Sequence, residues 1–274
     1  MLPREDPDAA ALVQDALERD GVDLRLGAEI REVWSWEGSR MVELRHGGRD
    51  EVLAVDEILV AVGRAPNVDG LDLDAAGVRS SRRGVEVDER LRTSNRRVYA
   101  AGDVASRFQF THTADAQARI VLQNALFLGR KRNDALVIPW VTYTSPEVAH
   151  VGLYEAQARE QRLEVETLDV PLAEIDRTRL DGEEEGFLRL HMAKGKDRIL
   201  GATLVAENAG DMISEITLAM TVGVGLSTLS GVIHPYPTRA EVIKRAADTW
   251  RRGKLTPAVQ TVMRWWFRLF RAFA

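Results

Sequence analysis

At 274 residues the chain suggests about two domains, and 45% hydrophobic with 29% charged residues is the composition of a soluble globular protein. A net charge of −5 and a pI near 5.7 argue against a nucleic-acid footprint. No cysteine is present, so the chain can form neither a disulfide framework nor a cysteine metal site. The opening, Met1-Leu-Pro-Arg-Glu-Asp6, is acidic and lacks the basic-then-apolar order of a signal peptide. The longest apolar stretch, around Ile216 to Leu226, is too short and interrupted to cross a bilayer, and the expected location is the cytoplasm.

Asp6-Pro7 predicts a helix start, with Asp6 as N-cap and Pro7 in the first turn. Leu12, Val13, Ala16 and Leu17 share one apolar face, and Gly21 closes the helix. Strand-like runs follow at Val22–Leu26, Glu29–Trp36 and Arg40–His46. Turns at Glu37-Gly-Ser39 and Gly47-Gly48 predict an antiparallel meander. Val52–Val55 is strand-like, and the continuous apolar run Ile58–Val62 suits a strand buried on both faces. It exits through Gly63-Arg-Ala-Pro-Asn67, a tight, proline-stiffened turn.

Val98-Tyr-Ala-Ala-Gly-Asp-Val104 reads as a strand running into Gly102, with Asp103 where the strand ends. Ligands gather at such carboxyl ends. Gly102 permits close backbone approach, and Asp103 offers a charged acceptor to ligand hydroxyls. A helix from Thr111 to Leu128 follows, whose first N–H groups suit anionic ligand atoms. No G-x-G-x-x-G occurs anywhere; Gly223-Val-Gly225 follows a helical pattern and lacks the third glycine.

Gly84-Val-Glu-Val-Asp88, Leu91, Thr93 and Val98-Tyr-Ala-Ala-Gly-Asp103 together resemble the flavin-ribityl segment of the class I pyridine nucleotide-disulfide oxidoreductases. These are FAD-dependent enzymes that include mercuric-reductase-like and dihydrolipoamide-dehydrogenase-like flavoproteins. The resemblance extends over nearly the whole chain. It implies that Asp103, beside Gly102, holds the FAD ribityl chain, and that Gln109, Phe110, Thr111 and His112 lie against the flavin or its diphosphate. Ile58 to Asn67 resembles the closing strand of the NAD(P)-binding domain, with Gly63 beside the nicotinamide. Ile30 stands at an apolar cofactor contact by the same resemblance, or is plain sheet core. The family's glycine-rich turns and redox-active cysteine pair correspond to sequence upstream of Met1, so the chain is expected to be the C-terminal portion of such an enzyme. The expected fold is α/β remnants of NAD(P)- and FAD-binding Rossmann-like domains (residues 1–65 and 66–133). An α+β dimerisation domain (134–252) and an amphipathic tail (253–274) follow.

In that third part, strands are predicted at Val137–Val141, Glu164–Leu168, Gly186–Met192 and Ile199–Val205. Helices are predicted through Arg162 and from about Asp211 to Thr221. Thr144 to Gly152 resembles the opening of the family's dimerisation domain. His150 and His191 are isolated, expected at sheet or helix surfaces, and no metal site is expected. In Gly231-Val-Ile-His-Pro-Tyr-Pro-Thr-Arg-Ala-Glu241 two prolines fix the backbone around Tyr236. Thr238 to Glu241 has capping-box spacing, which would make Glu241 a helix cap. The family's motif here is His-Pro-Thr followed by Glu, the base and its orienting acid. Pro237, Thr238 and Glu241 match it, but Tyr236 stands at the histidine position, as in mercuric reductases. A phenol of pKa ~10 is a poor base and a usable donor.

The tail puts Trp265, Leu269, Phe270 and Phe273 on one side of a helix, with Arg264, Arg268 and Arg271 mostly on the other. Docking on its own dimer and peripheral contact with an anionic membrane both fit, the first being the plainer. The resemblance implies a homodimer passing hydride from NAD(P)H through FAD to a small-molecule electron acceptor: a disulfide, a metal ion or another. The alternative is a non-catalytic dimerisation and interaction module.

Overall fold

The computed structural model describes residues 1–273, with side chains to 271; the Phe273 side chain lies outside the described part. Two compact units form, one of residues 18–136 with Met1, the other of residues 2–17 with the chain from Val137 onward. The first helix, α1 (Pro7–Arg19), therefore sits in the second unit for most of its length. Its N-cap is as expected: the Asp8 N–H donates to Asp6 Oδ1 at 3.0 Å. Ala9, Val13 and Ala16 are its buried stripe.

In the first unit, β1 (Glu29–Trp36), β2 (Ser39–His46) and β3 (Arg49–Val55) form an antiparallel sheet in sequence order. Glu37-Gly38 and Gly47-Gly48 all have positive φ, the geometry of two-residue hairpins that match strand twist. The meander lies one strand downstream of expectation, since residues 22–26 form no strand. The short pair β4 (Ser80–Ser81) and β5 (Gly84–Val85) precedes a 3₁₀ turn at Gly102–Val104 and helix α2 (Thr111–Leu126). Two further expected strands are absent. Ile58–Val62 forms no strand and is exposed, Leu59 by 91%. Val98–Ala101 makes only a single bridge, Tyr99 to Arg92. An apolar run becomes a strand only beside another strand, and no described strand pairs with 58–62.

The second unit is a five-stranded antiparallel sheet, β6 (Pro139–Thr142), β7 (Glu147–Gly152), β8 (Val165–Pro171), β9 (Phe187–Ala193) and β10 (Ile199–Ala206), in spatial order β6-β7-β10-β9-β8. Helices α3 (Glu155–Glu160), α4 (Asp176–Asp181), α5 (Ala209–Val222), α6 (Leu226–Leu229), α7 (Glu241–Gly253) and α8 (Pro257–Phe273) complete it. Because side chains alternate across a strand, Leu188, Leu190 and Met192 of β9 and Ala202 and Leu204 of β10 share one face. Ile213 and Ile216 of α5 and Val242 and Ile243 of α7 join them in one core.

The opposite alternation carries His150, Thr203, Arg189 and His191. Both histidines are buried rather than at the surface. His150 Nδ1 meets Thr203 Oγ1 at 2.8 Å, and its ring stacks on Tyr154 with centroids 3.7 Å apart. His191 Nδ1 meets Thr167 Oγ1 at 2.9 Å. Each finds a neutral hydroxyl partner, which allows an uncharged imidazole inside a sheet layer.

Candidate functional site

In the first unit the 3₁₀ turn Gly102–Val104 packs against the start of α2. Gly102 has φ +78 and its N–H donates to Gln117 Oε1 at 2.7 Å. Gln117 Nε2 in turn donates to Asn133 Oδ1 at 2.9 Å. A Cβ on Gly102 would lie 3.1 Å from that of Ala114, and one on Gly84 would collide with the Val104 carbonyl oxygen. Two glycines thus hold this turn against its neighbours, and the Asp103 carboxylate is left 47% exposed.

Arg64 joins the turn to the preceding segment. Its Nη1 lies 3.9 Å from Asp103 Oδ2 and donates to the Gln109 carbonyl at 3.4 Å. Gly63, the residue before Arg64, has φ +120. Helix α2 starts with Phe110 as N-cap, no side-chain cap and no acid in its first turn. Its first N–H groups are therefore available to an anion. The Thr113 hydroxyl is buried without a partner among the described residues. The Phe110 and His112 rings stack at 5.3 Å, 7° from parallel. Thr111 is exposed at the helix start. Ile30 is outside this cluster: it stands on β1, 63% exposed, so it is not sheet core.

In the second unit Tyr236 is 69% exposed, and its hydroxyl donates to Asp176 Oδ2 at 2.8 Å. That bond, with the Asp176 charge behind it, raises the phenol's pKa. Tyr236 is therefore held protonated, a donor rather than a base. The expected capping box does not form. Thr238 Oγ1 donates instead to the Pro235 carbonyl at 2.9 Å, and Ala240 is the N-cap of α7. Glu241 Oε2 is buried with no hydrogen-bond partner among the described residues. The His234 side chain is shielded, its Nε2 3.1 Å from both carboxylate oxygens of Glu215 on α5. An open cavity of about 420 Å³ lies alongside, lined by Arg177, Asn208, Asp211, Pro237, Thr238 and Arg239.

Comparison with known proteins shows the family of the chain. The family model "Pyridine nucleotide-disulphide oxidoreductase" matches residues 1–118, and that for the family's dimerisation domain matches residues 138–247. The chain belongs to the pyridine nucleotide-disulphide oxidoreductase family. The mercuric reductase of Staphylococcus aureus is 37% identical over 246 residues, covering 89% of this chain and 45% of that protein. The dihydrolipoyl dehydrogenase of Thermus scotoductus is 37% identical over 251 residues, covering 90% of this chain and 54% of that protein. The HOCl-induced flavoprotein disulfide reductase of Escherichia coli superposes with a TM-score of 0.81 at 30% identity, over 90% of this chain and 56% of that one. The chain spans about half the length of the curated relatives it matches.

The oxidoreductase family is FAD- and NAD(P)H-dependent, and its two models meet the two units' mixed α/β architecture. Sequence reasoning named Gly63, Gly102, Asp103 and the 109–112 segment but missed Arg64, Gln117 and Asp176. Arg64 had a signal, standing directly after Gly63 in a turn already singled out. Gln117 and Asp176 had none, since their partners lie 15 and 60 residues away. Among the described residues no group of three or more His, Asp or Glu could hold a metal ion. Nor is any described helix long and apolar enough to cross a membrane.

Proposed function

We propose that this chain supplies the flavin-ribityl contacts and the dimerisation domain of a homodimeric FAD-dependent NAD(P)H oxidoreductase of the mercuric-reductase-like kind. One observation carries the reading: an exposed Asp103 on a turn locked by Gly102, packed beside an uncapped helix start with an unpartnered Thr113 hydroxyl. Those are the groups a polyol chain and a diphosphate need, an ionised acceptor for hydroxyls and free N–H donors for phosphate oxygens. When bound, the flavin supplies two-electron relay between NAD(P)H and an acceptor.

The chain's own residues then bind and orient. Asp103 accepts from ribityl hydroxyls, the first N–H groups of α2 face the diphosphate, and Arg64 adds a cation there. Gln109, Phe110, Thr111 and His112 line the same side. Gly63 and Ile30 stand toward the nicotinamide. Tyr236, kept protonated beside Asp176, would turn its one O–H from Asp176 to a small-molecule acceptor at the partner subunit's redox centre, as proton donor or ligand contact. Because the chain has no cysteine, any thiol in the cycle comes from outside it.

The second reading, a dimerisation and interaction module without catalysis, is favoured by the absence of any G-x-G-x-x-G. Co-expression with the N-terminal half of the Staphylococcus aureus relative separates the two. The oxidoreductase reading expects a complex that keeps FAD through gel filtration and oxidises NAD(P)H, while the chain alone emerges colourless. A folded, associated complex that retains no flavin would leave the module.

A further inference from the structure

Helix α8 carries a separate inference that does not depend on the reading above. Every described side chain from Arg251 to Arg271 is exposed, including Val262, Trp265, Trp266, Leu269 and Phe270. At about 100° per residue, Arg264, Arg268 and Arg271 fall on one narrow face with Gln260 and Thr261. Apolar side chains fill the rest, roughly two-thirds of the circumference. A patch of this kind marks an interaction site.

The occupant follows from width and charge. A second copy of the helix covers a narrow seam, and would leave the flanks of so broad an apolar arc in water. A bilayer interface covers the flanks too, because the helix sinks into it up to its polar edge. From Arg251 to Ala274 the sequence holds six cations (Arg251, Arg252, Lys254, Arg264, Arg268 and Arg271) and no acidic residue, although the whole chain carries −5. A purely cationic end on an acidic protein is complementary to an anionic surface. Tryptophan, with an apolar body and a polar N–H, is favoured at the water–lipid boundary. The helix has 17 residues, about 25 Å by its rise, and lies along a membrane plane without spanning it.

We propose that α8 is an interfacial anchor that lays this protein on an anionic lipid surface. The test floats the full chain with phosphatidylglycerol–phosphatidylcholine vesicles and with phosphatidylcholine alone. Binding is expected to the mixed vesicles only, weakening as salt rises. Arg264→Gln, Arg268→Gln and Arg271→Gln together should reduce it roughly a hundredfold, about fivefold per cation. Lipids brominated in the acyl chain should quench tryptophan emission in the wild type but far less in Trp265→Phe/Trp266→Phe. Unchanged circular dichroism and melting keep each variant interpretable, because α8 is exposed.

Absence of flotation with either vesicle overturns the proposal, as does equal binding to both. So does a lipid-free dimer that Trp265→Glu/Phe270→Glu converts to monomer in sedimentation, which would assign the helix to a second copy.

Discussion

Asp103 offers its carboxylate to solvent while its neighbour Gly102 is locked from behind by Gln117. Replacing Asp103 by Ala removes charged acceptor bonds worth about 1.5–3 kcal/mol each. FAD should bind the reconstituted complex about ten- to a hundredfold more weakly, read by flavin fluorescence titration; an unchanged affinity in a folded variant returns Asp103 to an ordinary turn. Tyr236→Phe keeps the ring and deletes the donor held by Asp176. Acceptor turnover should fall about a hundredfold or more while stopped-flow flavin reduction by NAD(P)H stays normal. Equal turnover would leave the hydroxyl with no role beyond its Asp176 bond. Glu241→Gln is expected not to lower the melting temperature of the isolated chain. It caps no helix, and it neutralises a buried oxygen that lacks a donor. A clear drop would mean that Glu241 is paired in solution.

At the scale of elements, one guanidinium ties the start of α1 to the sheet of the second unit, beside the buried stripe of Ala9, Val13 and Ala16. Arg189, 18% exposed, bonds Asp6 at 2.7 and 2.8 Å, and Asp8 and Asp169 at 2.8 Å. The Asp169 bonds lead in raising its pKa well above the ordinary arginine value. Arg189→Met would leave the Asp6 carboxylate buried and unpaired, at a cost of about 3–5 kcal/mol. Amide exchange over residues 7–19 should speed up before that of β9 and β10. Uniform acceleration would show that the clamp supports the whole unit.

The same layer holds His150, pushed down to about 3 from its ordinary 6.5 by burial. An unfolded chain takes up this proton near pH 6.5, and the folded chain refuses it until about pH 3. Stability is therefore complete above that window and falls as pH drops through it, by roughly 2 kcal/mol at pH 5. His191, also lowered chiefly by burial, acts with the same sign. Urea midpoints at pH 7 and pH 5 should differ in the wild type and differ less in His150→Gln, with the His191 contribution remaining.

On the scale of the whole molecule, the two units differ in how far they bury their apolar segments. The second closes around one core of sheet, α5 and α7. In the first, Leu59, Val60 and Val62 stand exposed on an apolar run that pairs with no described strand. Such an edge invites pairing with another chain. The isolated chain should associate more with rising concentration in gel filtration. Leu59→Lys/Val62→Lys should suppress this without altering circular dichroism. An elution position independent of concentration in the wild type would contradict it.

Sequence by itself determined what short-range chemistry controls. Asp6 caps α1, the Glu37-Gly38 and Gly47-Gly48 turns fold hairpins, and the strand-like runs at 164–168, 186–192 and 199–205 become β8, β9 and β10. The role expected for Gly102-Asp103 came from the resemblance of the surrounding segment rather than from those letters alone, which by themselves read as an ordinary turn. Only tertiary structure decided where backbone and side chains find partners far along the chain. Ile58–Val62 has a strand's composition, but a strand requires a neighbour, and none of the described strands pairs with it. Thr238 and Glu241 have a capping box's spacing, yet Thr238 turns to Pro235 and the helix starts without it. Arg64 reaches Gln109 and approaches Asp103, Gln117 reaches Gly102, and Tyr236 reaches Asp176. Periodicity reports which face of an element is apolar; it says nothing of which distant residue completes a hydrogen bond.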